Sequence, residues 1–281
     1  MFLLILHSNE VSLHMRKIIS VFKVFFFLIG TVATYFVYTV GLLFVKLFGY
    51  NFEPWRNKIM TFWGRESAFF LSMEIETEGE PPEPPFFLVT NHLSYLDIVV
   101  LSATTKTTYV SKGEIKHWPL IGIMARTLGI IFIDRTRKKD VKRVNKVISE
   151  QLNERQGITI FPESMTSPGE KILPFRPSLL QHPAAEGLEV SYAAIQYQTS
   201  EKDIPAYQSV SWWGDAELHK HLFLMGQNRK IKAKIKFGEK KLIDPDRKTL
   251  AKNLHQQVTK LFEPMADGPV KNYKPLEFNK K

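Results

Sequence analysis

The feature that most constrains this chain is a run of 22 residues without a charged side chain, Val24–Val45. Such a run is long enough to cross the hydrocarbon core of a bilayer as a helix. Lys23 and Lys46 bracket it, and Arg16 and Lys17 precede it, so its N-terminal side is expected to face the cytoplasm if the helix spans. A buried helix of a soluble domain is the competing interpretation. A signal peptide fits less well, because the run is too long for a signal core and no small-residue cleavage site follows.

Two further features divide the chain. Residues 54–72 are rich in aromatic side chains interrupted by basic ones, which predicts an amphipathic helix at the membrane interface or against the first helix. A core helix of a soluble domain is an equal alternative. The proline-rich segment 78–85 breaks regular structure, so we expect membrane-anchoring helices in residues 1–80 and a separate domain in residues 81–281. Residues 1–14 stand apart from this pattern, which makes Met15 an alternative start.

Beyond residue 85, short apolar runs alternate with stretches that place apolar residues on one helical face. Predicted strands cover residues 86–90, 107–111, 129–134, 157–163, 188–197 and 230–237. Predicted helices cover residues 117–129 and 141–152 and a last segment capped by Asp244-Pro245. This alternation predicts an α/β fold, a sheet covered by helices, preceded by an N-terminal membrane-anchoring helix or helix pair. The lysines that alternate through residues 230–237 are expected on a solvated strand face, with anionic lipid as the alternative contact.

The composition excludes several classes of function. The 281 residues carry a net charge of +10, which suits an anionic membrane surface, an anionic substrate or nucleic acid. Nucleic acid is the weakest of these, because the chain has no zinc-finger spacing, RNP-like aromatic motif or Arg-rich tail. The absence of cysteine excludes disulfides, thiolate metal sites and a cysteine nucleophile. The histidines lack zinc-ligand spacing and no P-loop is present, so we expect neither a metal nor a cofactor.

The most informative residues follow a predicted buried strand and read Asn91-His92-Leu93-Ser94-Tyr95-Leu96-Asp97. Proteins of the α/β class bind their ligands at the C-terminal ends of strands. A helix is expected to begin within residues 94–97, and its first turn would let Asp97 return to the His92 imidazole. A carboxylate on one ring nitrogen raises the basicity of the other, so the pair can remove a proton from an alcohol. A helix-capping turn with an incidental histidine is the alternative.

Three further blocks follow in order. The first is Lys112-Gly113-Glu114 with Pro119 and Gly122. The second is a strand-like Gly-x-Ile-Phe-Ile-Asp-Arg run that ends in Asp134-Arg135. The third is Phe161-Pro162-Glu163, which is followed by Ser167 and by Leu173-Pro174-Phe175-Arg176. Together with Asn-His-x4-Asp, these blocks over roughly residues 55–240 resemble the glycerolipid acyltransferase family, which includes bacterial 1-acylglycerol-3-phosphate acyltransferase.

The resemblance implies a reaction and its residues. His92, held by Asp97, would deprotonate the acceptor hydroxyl, which attacks the thioester of acyl-CoA or an acyl carrier protein without a covalent acyl-enzyme. Backbone N–H groups near Lys112 and Gly113 would stabilise the thioester oxygen. Arg135 would bind an anionic head group, and Glu163 would position the polar part of the acceptor. The alternatives are a surface salt bridge for Arg135 and a helix N-terminal cap for Glu163.

The third block departs from the family pattern, since Ser164-Met165-Thr166 stands where Gly-Thr-Arg is usual. Thr166 removes one expected phosphate ligand, and Ser164 replaces a glycine where backbone freedom is expected. Residues 167–178, together with residues 211–215 and the histidines at 219 and 221, are more similar to a bacterial subgroup that includes acyltransferases of lyso-ornithine lipid.

The expected function is therefore acylation of 1-acyl-sn-glycerol-3-phosphate to phosphatidate in membrane phospholipid biosynthesis, with another lysolipid such as lyso-ornithine lipid as the alternative acceptor. A non-catalytic lipid-binding protein on the same fold and a hydrolase of acyl thioesters are the rivals. The complete set His92, Asp97, Arg135 and Glu163 argues against the former. The expected location is the bacterial inner membrane, with the catalytic domain on its cytoplasmic side and in contact with anionic lipid.

Overall fold

The computed structural model describes residues 2–134 and 138–266, with side chains described for residues 14–134 and 139–266. The α-helices among these residues are α1 (Phe2–Leu47), α2 (Glu53–Phe70), α3 (Leu96–Thr104), α4 (Ile121–Thr127), α5 (Lys138–Gln151), α6 (Gln181–Ala185), α7 (Ala206–Ser209), α8 (Leu218–Gly226) and α9 (Arg247–Leu261). The strands are β1 (Met73–Glu78), β2 (Phe87–Thr90), β3 (Thr107–Lys112), β4 (Ile131–Ile133), β5 (Gly157–Ile160), β6 (Val190–Thr199) and β7 (Ile231–Phe237). Short 3-10 helices cover Gly113–His117 and Pro177–Leu180.

The seven strands form one mixed sheet in the order β1-β7-β6-β2-β5-β3-β4. Five neighbours, from β6 to β4, run parallel, whereas β7 pairs antiparallel with β6 and parallel with β1. Every residue of β2 and β5 is buried, as expected for strands covered on both faces. The predicted α/β fold with helices over the sheet is confirmed, and the C-terminal ends of the parallel strands share one edge.

The edge pair of β1 and β7 explains the alternating lysines. Alternate residues of β7 are buried, and the lysines between them lie on the other face. Lys230 and Lys232 pair with Glu74 and Glu76 at 2.6 and 2.5 Å, and Lys234 pairs with Glu78. These positive charges are therefore balanced by β1, so this strand face is a network of ion pairs and presents no free basic surface.

Helix α1 is long and apolar, and one of its faces packs against the rest of the domain. Among the described residues it is the one helix long and apolar enough to cross a membrane, over His14–Leu47. Its inward stripe contacts the domain along its length: Ser20 donates to the carbonyl of Phe223 at 2.6 Å, and Tyr38 donates to that of Thr127 at 2.7 Å. At Gly41 a Cβ atom would lie 2.2 Å from the Trp55 ring, so only glycine permits this approach. The opposite face is apolar and exposed.

Helix α2 and strand β1 join the anchoring region to the sheet. Helix α2 packs on both α1 and α3, so the two interpretations offered for residues 54–72, contact with the first helix and a core helix of the domain, both hold. Strand β1 precedes the proline-rich segment but pairs with β7 over Met73–Glu78. Strand β1 therefore belongs to the sheet as its edge strand, although it precedes residue 81, where the second domain was expected to begin; the division of the chain at that residue stays a prediction.

Two expected helix boundaries are corrected by the structure. The helix predicted over residues 117–129 is split, because Pro119 separates the 3-10 helix Gly113–His117 from α4. Gly129 follows α4 with a φ of +76°, in agreement with the expected end. The last helix is capped by Asp246, whose carboxylate accepts from the backbone N–H groups of Lys248 and Thr249, and not by Asp244-Pro245.

Candidate active site

The loop that follows β2 carries the predicted base to the C-terminal edge of the parallel strands. Strand β2 ends at Thr90, and α3 begins at Leu96, within the expected residues. The Asn91 side chain bonds both backbone groups of Ile195 on β6, accepting from its N–H at 2.7 Å and donating to its carbonyl at 2.8 Å. Asn91 thus continues the pairing of β2 with β6 after β2 has ended and fixes where the His92 backbone begins.

His92 and Asp97 are in direct contact. The distance from His92 Nδ1 to Asp97 Oδ2 is 2.7 Å, and the same oxygen accepts from the backbone N–H groups of Leu93 at 2.8 Å and Ser94 at 3.1 Å. Asp97, in the first turn of α3, therefore holds the imidazole and two backbone N–H groups of the preceding loop with one oxygen. The contact is the predicted His–Asp pair, whereas the alternative, a helix-capping turn with an incidental histidine, does not describe it because α3 has no side-chain cap.

The contact fixes the tautomer of His92. A carboxylate oxygen accepts hydrogen bonds, so Nδ1 carries the proton and Nε2 of the neutral ring has the free lone pair. The ring stacks on Phe161 with centroids 4.1 Å apart, which restrains its rotation. The His92 side chain keeps 23% of its surface exposed, whereas that of Asp97 is fully buried. The arrangement can accept a proton at Nε2 from a bound hydroxyl group.

Glu163 lies beside this pair, at the end of the neighbouring strand β5, and binds protein backbone. Its Oε1 accepts from the His92 N–H at 2.8 Å and its Oε2 from the Leu173 N–H at 3.0 Å. Burial raises the pKa of this carboxyl to about 8, although both backbone donors act in the opposite direction. Glu163 thus ties the His92 loop to the segment around Leu173. This geometry gives it a positioning role, and the predicted direct contact with the acceptor stays a prediction.

The other predicted substrate residues occupy the same edge farther along the sheet. Lys112 ends β3, which lies two strands from β2, so Lys112 and Gly113 are about 10 Å from the His92 loop by strand spacing. Lys112 is exposed. Arg135 lies outside the described residues, although strand β4, which leads towards it, forms the outer edge beside β3. The roles proposed for Lys112, Gly113 and Arg135 remain predictions.

The altered third block has a strained backbone position. Ser164 adopts a φ of +69°, in the left-handed region that favours glycine. The expectation that this position needs backbone freedom is confirmed. The loop is tied to the base, since the backbone N–H of Ser167 donates to the carbonyl of His92 at 3.1 Å. Met165 between them is 59% exposed, an unusual position for a large apolar side chain.

Two contacts near His92 and Asp97 were not predicted from the sequence: that of Tyr197 with Asp97 and that of Tyr95 with His221. Tyr197 of β6 is fully buried, and its hydroxyl donates to Asp97 Oδ1 at 2.7 Å. On the other side of the loop, the Tyr95 hydroxyl lies 3.0 Å from Nδ1 of the buried His221, and Nε2 of that ring donates to the Ser211 carbonyl. Burial lowers the pKa of His221 to about 4, so this ring is neutral.

The aromatic residues singled out near residue 212 have packing roles. The backbone N–H of Trp212 donates to the Leu93 carbonyl at 2.8 Å, and the indole ring meets Tyr95 edge-on with centroids 5.7 Å apart. Asp215 is exposed in the turn that follows Gly214.

Across the described parts of the chain, no group of three or more His, Asp or Glu side chains is arranged to hold a metal ion.

Comparison with known proteins gives three independent results. The sequence model of the acyltransferase family matches residues 73–188. The lyso-ornithine lipid O-acyltransferase of Brucella abortus is 30% identical over 234 residues, which cover 79% of this chain and 86% of that protein. The 1-acyl-sn-glycerol-3-phosphate acyltransferase of Neisseria gonorrhoeae is 33% identical over 144 residues, which cover 50% of this chain and only 56% of that protein.

The fold is similar to that of a solved structure. The crystal structure of the 1-acyl-sn-glycerophosphate acyltransferase of Thermotoga maritima superposes with a TM-score of 0.63, covering 88% of this chain and 97% of that one. The two sequences are 18% identical, so this likeness concerns the fold. It includes most of the described helices and strands and leaves the acceptor undetermined.

Proposed function

The chain belongs to the acyltransferase family, and we propose that it transfers a fatty acyl chain from a thioester donor to the free hydroxyl of a lysolipid. The observation that carries the proposal is the 2.7 Å contact between His92 Nδ1 and the buried Asp97 carboxylate. It leaves Nε2 as the proton acceptor for the lysolipid hydroxyl, whose oxygen then attacks the thioester carbonyl. The proton leaves His92 on the departing thiolate, so no net proton stays on the enzyme.

The donor in this proposal is acyl-CoA or an acyl carrier protein. As the carbonyl becomes tetrahedral, its oxygen gains negative charge and needs hydrogen-bond donors. Backbone N–H groups near Lys112 and Gly113 lie at the same sheet edge as His92, and we assign them this task. Glu163, which fixes the His92 backbone and the Leu173 segment, keeps the base in register with the loop that follows β5.

Two acceptors are supported by different observations. Lysophosphatidate is the first candidate, because the block that ends in Asp134-Arg135 is complete and the gonococcal relative acts on this lipid by its name. Lyso-ornithine lipid is the second, because Thr166 stands where an arginine would bind phosphate and the Brucella relative aligns with 79% of the chain. The ornithine head group carries no phosphate, so the loss of one arginine would weaken the binding of lyso-ornithine lipid little.

Helix α1 is proposed to hold the enzyme on the inner face of a bacterial cytoplasmic membrane. Its inward stripe is occupied by contacts with the domain, so the outward face is the part that meets lipid. That face carries Val32, Phe36 and Leu43, which are 62%, 67% and 68% exposed. An apolar surface of this kind is stable in water only when something covers it. Contact with the bilayer also brings the lysolipid to the domain.

The experiment that tests the function uses the purified full-length protein in mixed micelles. Labelled acyl-CoA or acyl carrier protein is offered with a panel of lysolipids that includes lysophosphatidate and lyso-ornithine lipid, and the products are identified by mass. Labelled phosphatidate supports the first acceptor, and labelled ornithine lipid supports the second. Release of free fatty acid without transfer to any lysolipid would instead support the hydrolase alternative.

A further inference from the structure

The carboxylate that holds His92 is itself held by a phenol from across the sheet. Strand β6 extends beyond the end of its neighbour β2, because β2 pairs with β6 only as far as Ala193. Tyr197 lies four residues later, under the catalytic loop, and its hydroxyl is 2.7 Å from Asp97 Oδ1. Both side chains are buried, with 1% and 0% of their residue surface exposed. The contact joins residues 100 positions apart in the sequence.

The two oxygens of Asp97 have separate sets of donors. Oδ2 accepts from the imidazole of His92 and from the backbone N–H groups of Leu93 and Ser94. Oδ1 accepts from the hydroxyl of Tyr197. A buried carboxylate oxygen without a donor is costly, because water cannot replace the missing bond. Tyr197 therefore fixes the rotation of the carboxylate that presents Oδ2 to the imidazole.

We propose that Tyr197 is a positioning residue for acyl transfer: its hydroxyl orients the Asp97 carboxylate and limits how strongly that carboxylate raises the basicity of His92. The proposal rests on the proposed function, in which His92 is the base. A donor on Oδ1 withdraws negative charge from the carboxylate, so the imidazolium form of His92 is stabilised less than it would be by a carboxylate free at that oxygen. Tyr197 contacts Asp97 and not the reacting atoms, so it acts through the pair.

The surroundings keep this phenol protonated. Burial and the neighbouring Asp97 carboxylate raise the pKa of Tyr197 well above its usual value of 10, so the hydroxyl is protonated and can donate at neutral pH. Within the described parts of the chain, the other titratable groups that act on Asp97 or Tyr197 are His92, which Asp97 holds, Glu163 from beyond the end of β5, and Tyr95 from the loop before α3. All three stay unchanged in a variant at position 197, so a comparison with the wild type isolates the phenol.

The test is the substitution Tyr197→Phe, which removes the hydroxyl and keeps the ring. Tyr109→Phe is the matched control, because Tyr109 is also buried and its hydroxyl bonds Ser102 at 2.9 Å and the Ile98 carbonyl at 3.4 Å but not the Asp97 carboxylate. The titration of His92 is followed by NMR in protein with 15N-labelled histidine, and its signal is identified by its loss in His92→Ala. We expect the midpoint of this titration to move to higher pH in Tyr197→Phe and to stay in place in Tyr109→Phe.

Kinetics provide the second readout. The acidic limb of the kcat/KM profile should move to higher pH in Tyr197→Phe, in parallel with the NMR titration, and any loss should appear in kcat and not in KM for the lysolipid. If Tyr197 had only a structural role, Tyr197→Phe would lower the yield of folded enzyme but would shift neither the NMR titration of His92 nor the acidic limb of the kcat/KM profile. A folded Tyr197→Phe protein with the wild-type His92 titration would overturn the proposal.

Site-specific 3-fluorotyrosine at position 197 covers the case in which Tyr197→Phe does not fold. Its more acidic phenol is a stronger donor, so the pKa of His92 should fall, opposite to the effect of phenylalanine. An unchanged pKa would again overturn the proposal. The NMR titration requires no turnover, so a wild-type protein that transfers no acyl chain would refute the proposed function and leave the result for Tyr197 readable.

Discussion

Replacement of Ser164 by glycine should change the free energy of unfolding more favourably than a serine-to-glycine replacement at an ordinary helical position. Ser164 has a φ of +69°, and a residue with a Cβ atom in this region costs about 1–2 kcal/mol more than glycine. Glycine also makes the unfolded chain more flexible, which costs about 0.4–1 kcal/mol. Ser164→Gly alone is therefore expected to raise the free energy of unfolding by about 0–1.6 kcal/mol.

Ser149→Gly is the matched control, because Ser149 is exposed in helix α5 and its hydroxyl, like that of Ser164, donates to a nearby backbone carbonyl. In a helix, glycine is less favourable than serine by about 0.5 kcal/mol. Both variants lose the same side chain, so Ser164→Gly should be the more stable of the two by about 1–2 kcal/mol. Urea unfolding in detergent, followed by tryptophan fluorescence, measures the difference. Equal stability of the two variants would refute the left-handed conformation at Ser164.

Three further predictions concern charge, lipid and acceptor. Because the folded pKa of Glu163 is about 8 and its ordinary value is 4.5, the stability of the wild type relative to Glu163→Gln should fall as pH rises between these values, and urea midpoints across this range check the sign. Lysine at both Phe36 and Leu43 should release protein from vesicles in a flotation assay, whereas Ile243→Lys, at a loop residue that is also exposed, should not. Arg135→Ala should raise KM for lysophosphatidate about tenfold to a hundredfold if the phosphate is bound there, and an unchanged KM would favour an acceptor without phosphate.

The sequence contained enough to predict most of the sheet and the contact between His92 and Asp97. Strands β2 and β5 stand out as short apolar runs, because strands buried on both faces have few polar residues, and β3 stands out by its β-branched and aromatic residues. The pairing of His92 with Asp97 follows from local geometry, since one residue precedes the helix and the other lies in its first turn. Both features depend on residues that lie close together in the sequence.

Features that depend on distant parts of the chain could not be predicted. Strand β1 has alternating glutamates beside a proline-rich segment, and only its pairing with the lysines of β7, more than 150 residues away, makes it a strand. Tyr197 looks like an ordinary residue of a buried strand until the topology places it under Asp97. Glu163 was expected to face the acceptor or cap a helix, yet its oxygens bind backbone of two loops that fold together only in the finished structure.

The measurement that tests the account most directly is the kcat/KM for acyl transfer of His92→Ala, with His219→Ala as control. His219 is an exposed histidine on α8, whereas His92 is the residue whose Nε2 is proposed to take the proton. Loss of a general base typically lowers the rate by about a hundredfold to ten-thousandfold, and we expect this for His92→Ala in a protein that still folds. His219→Ala should transfer acyl chains at the wild-type rate. A folded His92→Ala enzyme with wild-type turnover would contradict the central claim.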